Sequence, residues 1–200
     1  MAGWFESFIL TFVPLFIVID ALGNLPFLIS LGEGRSKHEQ RKMVHIAIGT
    51  ATLVGLAFLF FGQFILNVMG ISVGSFAIAG GLVLLVLSIR YIIAGHMVEV
   101  IKEEMVAVVP IGTPLTVGPA TITTLLLLVN ESRLYIVLVS FAVNMLIAWL
   151  IFLLGNQMNR FLGHGGLKAI SKVFSLLLAA IAVSMIIRGL GLTGIINIMD

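Results

Sequence analysis

The stretch Asp20-Ala-Leu-Gly-Asn-Leu-Pro26 lies inside the first long apolar run of the chain. A carboxylate, a glycine, an asparagine and a proline are all expensive in a helix whose only task is to cross lipid. Proline removes a backbone donor and blocks the carbonyl four residues earlier. Acids within a membrane are rare and mark functional positions by default. The stretch therefore marks either a span that is not a simple helix or the place where the protein works.

The surrounding composition sets the class. Hydrophobic residues make up 60% of the 200 positions and charged residues 10%, with a mean hydropathy of +1.21. A soluble domain carries about 25% charged residues, so this chain has too few to cover a globular surface. It reads as a polytopic membrane protein. The first run has Glu6 as its only early charge, contains Pro14 and Asp20, and lacks a small-residue cleavage pattern. It is not read as a removed signal peptide. With no cysteine, disulfides, thiolate ligands and cysteine nucleophiles are excluded.

A helix needs roughly 20 apolar residues to cross the hydrocarbon core. Six runs qualify: 4–31, 43–69, 71–94, 106–129, 134–155 and 167–192. The second and third meet at a tight turn, Asn67-Val-Met-Gly70, and 156–166 reads as a polar connector. Lys and Arg in short loops set orientation. Arg35, Lys37, Arg41, Lys42, Arg90, Lys102, Arg160, Lys168 and Lys172 fall on one side, and only Arg133 and Arg188 on the other. The basic loops are expected in the cytoplasm and both termini outside, in the periplasm.

Six spans give two halves of three in opposite orientation. Residues 1–95 form the first repeat and 106–200 the inverted second, joined by a cytoplasmic connector at 96–105. All five prolines fall in the first run of each half: Pro14 and Pro26, then Pro110, Pro114 and Pro119. Gly/Pro-interrupted segments at matching positions of two halves point to a binding site near the midplane. The fold expected is all-α, with runs one and four broken.

The second break reads Pro110-Ile-Gly112-Thr-Pro114-Leu-Thr-Val-Gly118-Pro119. Pro119 suits the first turn of a helix running through Leu128, with Gly118 near its cap and Thr121 in the first turn. Such an N-terminus offers N–H groups and partial positive charge to a carboxylate. In the first half, Asn24 is positioned to cap a segment starting at Pro26. Asp20, one turn earlier, either binds an ammonium group or proton or only caps the break. The candidate substrate-binding residues are thus Asp20, Gly23, Asn24, Pro26, Thr113, Pro114, Gly118, Pro119 and Thr121, with Asn144 as a further polar group in the fifth run. Small residues at four-residue spacing serve close helix packing. They are Ala47, Ala51 and Gly55 in run two, Gly70, Gly74, Ala77 and Gly81 in run three, and Ser171, Ser175 and Ala179 in run six.

His38, His45, His96 and His164 show no ligand spacing, and HExxH and P-loop motifs are missing from the sequence. No metal, cofactor, nucleic-acid partner or enzymatic activity is expected. The residues alone leave three functions open. One is a transporter of a zwitterion bound between the breaks. Another is an ion or metal transporter or channel using Asp20 and unwound carbonyls, and the third is a structural membrane protein.

At both breaks the sequence resembles the MarC family of integral inner-membrane proteins. The likeness rests on Asp20, Gly23, Asn24 and Pro26, then Pro110, Gly112, Pro114, Gly118 and Pro119, and covers nearly the whole chain in length and motif order. The resemblance implies transport of small neutral amino acids such as glycine, alanine, serine and threonine. Proton or sodium coupling, direction and oligomeric state stay open.

Overall fold

A computed structural model describes residues 3–32, 35–94 and 117–196. Pro110, Gly112, Thr113, Pro114 and the 96–105 connector lie outside the described residues. The described chain forms seven helices. They are α1 (Trp4–Ile19), α2 (Ala21–Gly32), α3 (Lys37–Val68), α4 (Val73–Ala94), α5 (Pro119–Glu131), α6 (Leu134–Leu153) and α7 (Gly155–Leu192).

Among the described residues four stretches are long and apolar enough to cross a membrane: Trp4–Leu25, Lys37–Val68, Leu134–Leu153 and Lys172–Leu192. Two shorter apolar helices, Val73–Ile89 and Ala120–Glu131, stand beside them. The expected run 4–31 is two helices. The break falls at Asp20, while Pro14 lies inside α1 and Pro26 inside α2. Neither proline ends a helix, so the left-handed residue rather than the ring makes the interruption. Asn24 does not cap a segment starting at Pro26, because α2 already begins at Ala21. The expected connector at 156–166 is also helical and belongs to α7, interrupted at Gly163 (φ 64°, ψ 171°).

Local sequence explains both ends of α3. Ser36 and Glu39 form a capping box at the start of α3, each side chain accepting from the other's backbone N–H. At the far end the Gly70 N–H donates to Asn67 O (3.1 Å) and the Ile71 N–H to Leu66 O (2.9 Å). With Gly70 at φ 67°, this is a Schellman turn, which needs a left-handed residue past the helix end. Asn67–Gly70 is the tight turn expected.

Two packed clusters fill the core. One joins Leu15, Ile19, Ala21 and Leu25 to Val117, Leu125, Val137, Phe141, Met145 and Phe152. The other joins Val18, Ala120 and Leu127 to Ala77, Leu84, Leu178, Ala182 and Met185. The ring of Phe141 fills the notch left by Gly55 of α3, as the small-residue stripe there requires. Many large apolar side chains stay exposed, among them Leu53, Phe60, Phe61, Phe64 and Val68 of α3 and Leu82, Val86 and Ile93 of α4. That surface suits lipid rather than water.

The tightest seam joins α4 to α7. A Cβ added at Gly189 would lie 2.7 Å from Gly74 O, and one at Gly81 would lie 2.8 Å from Ala182 O. Backbones approach this closely only where side chains are nearly absent. The α4 stripe is as read from sequence, apart from Gly70, which forms the turn. Its partner residues on α7 are Ala182 and Gly189. The buried positions of α7 run Ser175, Leu178, Ala182, Met185, alternating steps of three and four that keep one face toward a neighbour.

Candidate functional site

Asp20 adopts φ 46° and ψ 49°, and it alone among described non-glycine residues has positive φ. Left-handed backbone costs an L-residue about 1–2 kcal/mol, and Asp or Asn tolerate it best because their short polar side chains bond locally. Asp20 does so. Its N–H donates to Phe16 O (3.3 Å), closing α1, and its carbonyl accepts from the Asn24 N–H (2.9 Å), opening α2. Its carboxylate Oδ1 accepts from the Gly23 N–H at 3.0 Å. With the Gly23 N–H engaged there, the Ile19 carbonyl lacks its usual helical donor. Asn24 supplies one: its Nδ2 donates to Ile19 O at 3.2 Å. Asp20 and Asn24 are both 5% exposed.

Gly23 completes the device. A Cβ there would overlap the Asp20 carboxylate, so any side chain would displace the acid. Asp20, Gly23 and Asn24 are brought together as one polar break. Backbone freed inside a membrane must find protein or water partners, and these three residues meet much of that need. The second carboxylate oxygen, Oδ2, accepts no hydrogen bond from the described residues.

The other half supplies a helix start to the same core. Gly118 is the N-cap of α5 and Pro119 occupies its first turn, as the sequence indicates. The Ile122 N–H donates to Gly118 O (3.0 Å), and the N-cap glycine has no side chain with which to cap the first turn. Thr121 is buried in that turn, followed by buried Thr123 and Thr124. Helix α5 packs directly on α1. Val117, just before the cap, shares a cluster with Ile19, Ala21 and Leu25, and Ala120 shares one with Val18. Residues on both sides of Asp20 thus pack with residues on both sides of the α5 cap. Thr113 and Pro114 lie outside the described residues, and the side chain of Pro26 is not described.

Asn144 stands apart from the break. It is 1% exposed on α6, and its Nδ2 donates to Phe12 O (3.2 Å) and Ser140 O (2.9 Å). Phe12 precedes Asp20 by two turns of α1, about 12 Å along the axis. The Asn144 Oδ1 has no partner among the described residues. Ser140, one turn before Asn144, meets Thr11 of α1 at 2.6 Å between hydroxyls. Sequence reading missed Thr11 and Ser140. The four-residue spacing of Ser140 and Asn144 was the available signal, since it puts both on one helix face.

Four long apolar helices, two shorter ones, a lipid-compatible surface and a buried polar break define a multi-pass integral membrane protein. Its particular family follows from comparison. Residues 5–195 match the family model described as MarC family integral membrane protein, and the chain belongs to that family. Over 203 aligned positions it is 32% identical to a UPF0056 membrane protein of Archaeoglobus fulgidus, covering 95% of each chain. It is 29% identical over 197 positions to one of Methanocaldococcus jannaschii, covering 92% of this chain and 96% of the relative. A third, from Buchnera aphidicola, is 28% identical over 195 positions and covers 90% of each. No solved structure matches the chain.

Proposed function

We propose that this protein is a secondary transporter of small neutral amino acids such as glycine, alanine, serine and threonine. The single observation that carries the proposal is the polar break at Asp20, buried in the same core as the start of α5, whose N-cap is the side-chain-less Gly118. A zwitterion has two ends, and the core offers a group for each. The α5 N-terminus presents N–H groups and a partial positive charge suited to a carboxylate. The Asp20 carboxylate, with Oδ2 unengaged by the described residues, is suited to an ammonium group. A coupled proton or sodium ion would use the same acid.

The fold proposed around this site has six spans in two inverted three-helix repeats, residues 1–95 and 106–200, in the cell inner membrane. Both termini face outward and the basic loops face the cytoplasm, as the distribution of Lys and Arg favours. Alternating access then follows from one group of helices rocking against the other around the break.

The test is uptake and counterflow in liposomes holding the purified full chain, with labelled glycine and alanine. Saturable uptake above empty liposomes, competed by unlabelled serine or threonine, is expected. No flux together with no detectable binding would remove amino-acid transport from consideration.

A further inference from the structure

A second polar feature lies at the opposite end of the bundle's chemistry, at a helix boundary rather than mid-core. A cleft of about 360 Å³ opens between the start of α3 and the α6–α7 junction. Lys37, Gln40, Arg41 and Val44 line one wall. Their spacing of three, four and seven residues places all four on one helix face. Phe152 and Leu153 from the end of α6 meet Asn156, Gln157 and Arg160 from α7 on the other side.

The charge balance of this cleft is one-sided. Among the described residues its lining holds three cations and three side-chain amides and no acid. None of the three cations makes a salt bridge among the described residues; the pair found there is Arg188 with Glu131, 2.8 Å apart and remote from the cleft. The nearest acid in sequence, Glu39, is engaged by Ser36 at 2.7 and 2.8 Å. The amides are set in place: Asn156 Nδ2 donates to Gln40 Oε1 (2.9 Å), and Gln40 Nε2 to Gly32 O (2.8 Å).

The apolar members give the ligand its second property. Val44 and Phe152 are buried core residues, and the cleft lies where the polar N-terminal turns of α3 give way to its apolar length. Unpaired cations over an apolar floor at that depth match a group that is anionic at one end and hydrocarbon at the other. We propose that this cleft binds the phosphate headgroup of an anionic phospholipid, with Lys37, Arg41 and Arg160 facing the phosphate and Asn156 and Gln157 its ester and glycerol oxygens. Basic pockets between helices at a membrane face recognise lipid headgroups on these terms.

The experiment uses the full chain in neutral detergent, with phosphatidylglycerol, phosphatidylcholine or inorganic phosphate added. Melting temperature and native mass spectrometry are the readouts. Phosphatidylglycerol should raise the melting temperature saturably and leave at least one lipid retained per chain, while phosphatidylcholine should not. The double variant Arg41→Gln/Arg160→Gln should weaken that lipid roughly tenfold or more. Arg188→Gln, which alters the paired arginine, should retain it. Should the double variant fail to fold, Arg160→Gln alone serves, and the comparison of the two lipids on the unaltered chain stands by itself. Equal stabilisation by both lipids, or retention unchanged in the folded variant, overturns the proposal. Saturation by inorganic phosphate at the same low concentration overturns the lipid assignment in favour of a free anion.

Discussion

The α1–α2 break and the α4–α7 seam both depend on small residues, yet they use them in opposite ways. At the seam, Gly74, Gly81, Ala182 and Gly189 remove side chains so that two unbroken stretches of helix come together. No polar side chain is required there. At the break, Gly23 makes room for a carboxylate, and Asp20 and Asn24 spend their polar groups on backbone that the helix no longer bonds. A glycine in a membrane bundle therefore says little by itself. A left-handed residue and buried polar side chains beside it separate a site from a packing face.

The comparison can be strained first at the seam. Gly189→Leu would drive a side chain into the Gly74 carbonyl and Ile78. Overpacking of a filled core costs about 1–3 kcal/mol and occasionally more, and backbone gives way less easily than a side chain. We expect the largest loss of folded protein here, read as the monodisperse fraction in detergent. Asp20→Leu comes next. It combines left-handed strain of about 1–2 kcal/mol with loss of a cap worth about 1 kcal/mol, and should lower the melting temperature clearly while leaving the seam intact. Asn144→Ala removes an interhelical bond of about 0.6 kcal/mol on average in membranes. A small melting shift with uptake largely kept would mark Asn144 as a tie between α6 and α1; uptake lost at an unchanged melting temperature would instead place it in the substrate path. Gly163→Ala should be the mildest for transport. It meets a backbone conformation costing about 1–3 kcal/mol, but with nothing within 4 Å of the added Cβ and no tie to the break, uptake should be unaffected when corrected for protein amount.

Much of this was legible in the sequence. The membrane class follows from composition, the Asn67–Gly70 turn from its residues, and the start of α5 from Gly118-Pro119. These are local signals, and local physics decided them. The break at Asp20 was located but its cause was misassigned to proline. Pro26 is accommodated within α2, whereas Asp20 combines αL tolerance with a carboxylate able to cap the next helix, and only backbone geometry separates the two. The partners of the α4 stripe were missed for a different reason. Small residues mark several faces of α7, and which face meets α4 depends on tertiary register. Thr11 and Ser140 carry only a weak signal, the Ser140–Asn144 spacing, because a hydroxyl in a helix can equally bond its own preceding turn, as Thr11 also does to Ser7 O.

The most direct test separates the two roles of Asp20. Asn keeps the tolerance for left-handed backbone and an oxygen for the Gly23 N–H, but it gives up the charge. Asp20→Asn in liposomes should therefore melt within about 1 kcal/mol of the parent, the worth of one hydrogen bond, while glycine counterflow falls tenfold or more. Counterflow at the parent rate in the folded variant would contradict this and reduce Asp20 to a cap.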